Sequence, residues 1–144
     1  MMKKVYVLLF TLLPSLALVA CNQSTSSKES PTIDDALKSF QKAGLEAENA
    51  KKMTKDDYGM APMKAKEAKR FLIPSLGEDN GGRIFIFDDK KDLEQTKEFY
   101  DKLGKESAML FSWTAATNNI LIQVNGDLSE DKFNEYRKVL EDLK

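Results

Sequence analysis

The apolar and polar positions change period several times along the chain, and each change predicts an element. Behind Thr32, Ile33, Leu37, Phe40 and Leu45 recur at helical spacing, with Asp34 and Asp35 in the first turn and Gly44 as a stop. Residues 45–53 read two ways. Their Ala, Glu and Lys favour helix, while Gly44 before them and Thr54–Gly59 after them suit a short strand between turns. Lys66–Ile73 predicts a strand ended by Pro74, and Ser75–Gly82 a glycine-rich loop. Arg83–Phe87 predicts a strand that is apolar on both faces, hence central and covered on both sides, or on one side by a neighbour. Asp88–Asp92 opens a second helix striped by Leu93, Thr96, Phe99, Tyr100 and Leu103, which Gly104 should stop. Ala108–Thr114 and Asn119–Val124 predict a strand pair joined at residues 115–118. Asn125-Gly126 is a turn, and Ser129 caps a last helix carrying Phe133, Tyr136, Leu140 and Leu143.

Paired strands separated by helices point to one α+β domain over residues 32–144, a mostly antiparallel sheet with helices packed on one face. About 113 residues from Thr32 onward suffice for one core and not comfortably for two.

Composition then excludes chemistry. The 144 residues hold 22 basic and 23 acidic side chains, one cysteine and no histidine. There is no intrachain disulfide, no Cys₂His₂ zinc site, no Ser-His-Asp or Cys-His machinery, and no glycine fingerprint for phosphates. A net charge of −1 gives no electrostatic basis for binding nucleic acid. Nothing in the pattern calls for a cofactor or a resident metal.

The amino terminus alters this picture. Met1-Met2-Lys3-Lys4 is a basic start, and Val5–Ala20 is an uncharged run rich in Leu and Val, interrupted by Thr11, Pro14 and Ser15. The run is shorter than the roughly 20 apolar residues of a spanning helix and reads as a secretory signal. It closes on Leu18-Val19-Ala20-Cys21, which resembles the lipobox of bacterial lipoproteins position by position. The resemblance implies removal of residues 1–20, a diacylglycerol on the sulfur of Cys21 and acylation of the new amino terminus, with Cys21 as the lipidation site. More than one acyl chain is what firm anchoring requires. Residues 21–31 carry small polar side chains and are expected to form a flexible tether of at most about 35 Å. Nineteen of the 22 basic residues are Lys, a bias that suits an AT-rich, Gram-positive source. The expected location is the extracytoplasmic face of the cell membrane.

Four groups of residues are candidates for chemistry. Asn125, Asp127, Ser129 and Asp131 place oxygens at alternate positions, but without the glycine and the bidentate Glu of a calcium loop they read as a turn and a helix cap. Lys64, Lys66, Lys69 and Arg70 form a basic patch, suited either to an anionic lipid or teichoic surface or to guarding an edge strand. Glu78, Asp79, Asp88 and Asp89 would have to line an acidic pocket for a small envelope hydrolase, the less favoured reading. Phe111 and Trp113 lie two residues apart on one side of a predicted strand, and Tyr58, Met60 and Met63 share an apolar loop. These five are the candidate partner contacts, although Trp113 also suits a core beneath a helix.

The expectation is therefore a membrane-tethered, non-catalytic binding or accessory protein of the bacterial envelope, reaching its membrane through the lipid on Cys21 and its partner through an envelope protein or polymer. A lipobox followed by one small domain rich in Lys and Asp is also similar in plan to small Firmicute lipoproteins carried on conjugative elements. Some of these act in exclusion, which would make the partner a protein of the conjugation machinery.

Overall fold

In the computed structural model the described residues are 30–143, so the lipobox, Cys21 and the tether as far as residue 29 lie outside them. The order of elements is α1 (Ile33–Lys42), β1 (Glu48–Lys52), a one-turn α2 (Lys55–Tyr58), β2 (Glu67–Leu72), β3 (Gly81–Ile86), α3 (Lys90–Glu106), β4 (Ser112–Thr117), β5 (Ile120–Asn125) and α4 (Glu130–Glu141). All strand pairs are antiparallel, in the order β1-β2-β3-β5-β4. The α+β architecture with an antiparallel sheet is the one the pattern predicts. The short strand is the outcome at residues 48–52.

The helices do not share one face. Ile84 and Ile86 of β3, with Ile120, Ile122 and Val124 of β5, pack on Ile33, Leu37 and Phe40 of α1 and Phe133, Tyr136 and Leu140 of α4. The alternate residues Phe85, Phe87 and Leu121 pack on Leu93 and Tyr100 of α3. Side chains on a strand alternate between faces, so β3 and β5, apolar at nearly every position, need a cover on each side. Each fully buried Phe, Ile or Leu is worth about 1.5–3 kcal/mol, against about 1 kcal/mol for a helix cap. The two cores therefore dominate, and the caps set where the helices begin. On the α1/α4 side Tyr136 meets the ring of Phe40 edge-on at 5.2 Å, and its hydroxyl donates to the Glu46 carbonyl at 2.6 Å.

Three boundaries differ from those the pattern predicts. α3 runs through Gly104 to Glu106. A Cβ at Gly104 would lie 3.1 Å from Cδ2 of Phe111, so the glycine serves a close approach rather than a stop. Residues 108–110 form a 3-10 turn and β4 begins only at Ser112, which leaves Phe111 ahead of the strand. Thr117 pairs with Ile120, so the β4–β5 turn is Asn118-Asn119, with Asn118 at φ 50°, instead of residues 115–118.

The two sheet edges differ in chemistry. β1 is exposed along its length, carries Lys51 and Lys52, and shifts register beside Asn49. These are devices that discourage edge pairing. β4 has none of them: residues 107–126 contain no charged side chain. Among the described residues no helix is long and apolar enough to cross a membrane.

Candidate functional site

Register across the sheet assembles a polar rung on the α3 face. Arg70 lies opposite Arg83, Arg83 opposite Gln123, and Gln123 opposite Thr114. The neighbouring rung on the same face, Ala68, Phe85 and Leu121, is apolar and lies in the core that α3 covers. Two guanidinium groups directly opposite one another repel and need a counter-charge.

The one-turn helix α2 supplies it. The Asp57 carboxylate accepts from the Thr54 N–H at 2.7 Å and the Thr54 hydroxyl at 2.8 Å through Oδ2, and its Oδ1 lies 3.5 Å from Nη1 of Arg70. The backbone and hydroxyl of Thr54, then Arg70 and Arg83, hold this carboxyl below its usual range against a smaller opposing effect of burial. Arg83 donates from Nε to the Asp57 carbonyl at 3.2 Å and from Nη1 to Oε1 of Gln123 at 2.8 Å. Arg70 also donates to the Asp79 carbonyl at 3.4 Å.

Arg70, Arg83 and Gln123 of this rung line a cleft of about 500 Å³. Phe99, Tyr100 and Leu103 of α3 also line it, together with the apolar side chains Met60, Met109, Leu110 and Phe111. Met109 is 95% exposed, Met60 80% and Phe111 41%. Contiguous exposed apolar side chains around a polar floor are the usual mark of a binding site. Tyr100 is only 7% exposed, and its hydroxyl has no hydrogen-bond partner among the described residues. Burial raises its pKa, opposed by the charge of Arg83 and reinforced by Tyr58.

Of the residues singled out by sequence, Tyr58, Met60 and Phe111 line this cleft. Met63 is exposed but outside the lining. Trp113 faces the other core, stacked on Phe133 at 5.5 Å with its indole N–H donating to the Leu128 carbonyl at 2.8 Å. Its contacts are those of a residue beneath a helix, although the Phe111 ring still meets it edge-on at 4.8 Å.

The basic patch is not a free positive surface. Lys64 pairs with Asp92 at 3.0 Å, Lys66 with Asp88 at 3.0 Å, Lys69 with Asp34 at 2.7 Å and Arg70 with Asp57 at 3.5 Å. β2 is also an interior strand, so the guarding of an edge by Lys falls to β1. The alternating oxygens at residues 125–131 form local caps: Oδ1 of Asn125 accepts from the Asp127 N–H at 2.8 Å, and the Ser129 side chain accepts from the Lys132 N–H at 3.4 Å. Of the four acids considered for a hydrolase, Asp79 alone lines the cleft, Asp88 pairs with Lys66, and Asp89 caps α3 by accepting from the Lys91 N–H at 2.6 Å. Among the described residues no three His, Cys, Asp or Glu side chains are grouped to hold a metal ion.

Sequence reasoning missed Arg83, Gln123 and Tyr100. One signal was present: with three arginines among 22 basic residues, two on neighbouring strands are conspicuous. Comparison with protein-family models, curated proteins and solved structures gives no match to this chain.

Proposed function

We propose that the protein is a lipid-tethered, non-catalytic binding protein of the bacterial cell envelope, and that the cleft on the α3 face is its binding surface. The observation that carries the binding half is the cleft itself: exposed Met60, Met109, Leu110 and Phe111 around a floor of Arg70, Arg83 and Gln123. An apolar rim over convergent donors favours capture of a ligand. The lipobox supports the envelope half, because two or more acyl chains on and beside Cys21 would hold the domain at the membrane surface.

The test uses intact Gram-positive cells producing the full chain as wild type, Cys21→Ala or Arg83→Ala, with crosslinking before solubilisation. Wild type should fractionate with membranes and crosslink to an envelope component. Cys21→Ala should leave the membrane fraction. Arg83→Ala should stay membrane-bound and lose the crosslink. Membrane association that does not depend on Cys21 would refute the tether, and a crosslink indifferent to Arg83 would refute the cleft as the binding surface.

A further inference from the structure

We propose that the cleft takes the carboxyl end of a peptide whose last residue is apolar, the terminal carboxylate lying on Arg83 and Arg70 and the side chain against Met109, Leu110 and Phe111. The inference rests on the cleft being the binding surface and names the chemistry that it selects.

The donors come first. Arg83 uses Nε and Nη1 within the protein, and Nη2 has no protein acceptor among the described residues. Gln123 accepts from Arg83 through Oε1, which leaves its amide nitrogen as a donor. Arg70 holds Asp57 and the Asp79 carbonyl only at 3.5 and 3.4 Å, long for charge-assisted bonds. Arg83, Gln123 and Arg70 thus line the cleft with donors whose acceptors are incomplete, and the planar fork of a guanidinium matches a carboxylate.

Charge sets the number of negative groups. Asp56, Asp57 and Asp79 line the cleft along with the two arginines. A polyanion such as a phosphodiester polymer would bring many charges against these acids, whereas a single carboxylate brings one, to Arg83, and shares Arg70 with Asp57.

Shape and polarity select the body of the ligand. A fatty acid needs an enclosed apolar pocket that buries most of its chain. This cleft is open, and its walls interleave Asn80, Ser112 and Asn125 with the apolar side chains. Such walls can bond a peptide backbone. The methionines on the rim suit side chains of varied shape, because Met re-packs easily.

Trp113 makes the test direct. It is the protein's one tryptophan and touches Phe111 on the rim. Its fluorescence in the full-length protein is titrated with N-acetyl-Ala-Leu-Phe bearing a free carboxylate, with the same peptide as its carboxamide, and with dodecanoate. Wild type should bind the acid at least about tenfold more tightly than the amide, with dodecanoate weaker than the acid. Arg83→Met should abolish the preference for acid over amide. Met109→Ala should weaken both peptides alike. Equal binding of acid and amide, a preference that survives Arg83→Met, or tighter binding of dodecanoate would each overturn the inference. Failure of both peptides to bind, while the crosslink in cells still depends on Arg83, would overturn this ligand class and leave the cleft as a binding surface. Loss of that dependence would remove both.

Discussion

Tyr100 and Tyr136 are both buried phenols, one on each side of the sheet, and they differ in what the hydroxyl meets. That of Tyr136 donates to the Glu46 carbonyl at 2.6 Å and ties α4 to the loop before β1. That of Tyr100 has no hydrogen-bond partner among the described residues. A buried hydrogen bond is worth about 1 kcal/mol net, and an unmade one costs about 1–3 kcal/mol. Tyr136→Phe should therefore lower unfolding stability by about 1–2 kcal/mol in urea, whereas Tyr100→Phe should leave it unchanged or raise it. The pH dependence follows the same atoms. Burial raises the pKa of Tyr136, with Glu46 adding to the rise and the hydrogen bond to the Glu46 carbonyl opposing it, and burial likewise raises that of Tyr100. Below the ordinary tyrosine value of about 10, folded and unfolded chains both keep these protons, and stability is flat on their account. Above it the unfolded chain sheds protons that the folded chain retains, so stability falls as pH rises. Circular dichroism against urea at pH 9, 10 and 11 should show the decline, and Tyr136→Phe should make it shallower.

The helices show what local sequence can and cannot specify. Thr32 and Asp35 form a reciprocal capping box, the Asp35 N–H donating to the Thr32 hydroxyl at 3.2 Å and Oδ2 of Asp35 accepting from the Thr32 N–H at 3.0 Å. This was legible because cap chemistry is contained within four residues. Thr32→Ala should cost about 1 kcal/mol, read as a lower urea midpoint at unchanged slope. Gly104 was not legible, because its purpose lies in Phe111, which reaches it only after the chain has turned through residues 108–110. Gly104→Ala would gain helix propensity of up to about 1 kcal/mol, but its Cβ would lie 3.1 Å from the Phe111 ring and 3.3 Å from the Phe111 Cα. That backbone contact offsets the gain, so the variant should be no more stable than wild type in urea, and it should bind the acid peptide more weakly, because its added methyl displaces the rim.

At the scale of the whole molecule, paired strands separated by helices made the antiparallel sheet legible, and β3, apolar on both faces, signalled a cover on each side, but which helix takes which face was not legible. That depends on which residues alternate inward once β2, β3 and β5 lie side by side. The cleft was less legible still. Its floor exists because Arg70, Arg83 and Gln123 fall on one rung, and Gln123 lies 40 residues beyond Arg83. The apolar part of its rim was partly visible, because Met60, Tyr58 and Phe111 stand out against their own neighbours.

The packing of α1 on α4 has a consequence in time. Phe40 and Glu46 emerge from the ribosome well before Tyr136, which lies 90 residues beyond Glu46 and completes their contacts. Until α4 has been synthesised, α1 alone covers its side of the sheet, and the contacts of Phe133, Tyr136 and Leu140 that complete this core are missing. A chain ending at Gly126 should accordingly give a largely unfolded circular dichroism spectrum. The nascent protein stays open along most of its length while it is being made. On the envelope location proposed above, a chain that closes only with its last helix would still be open when it meets the membrane.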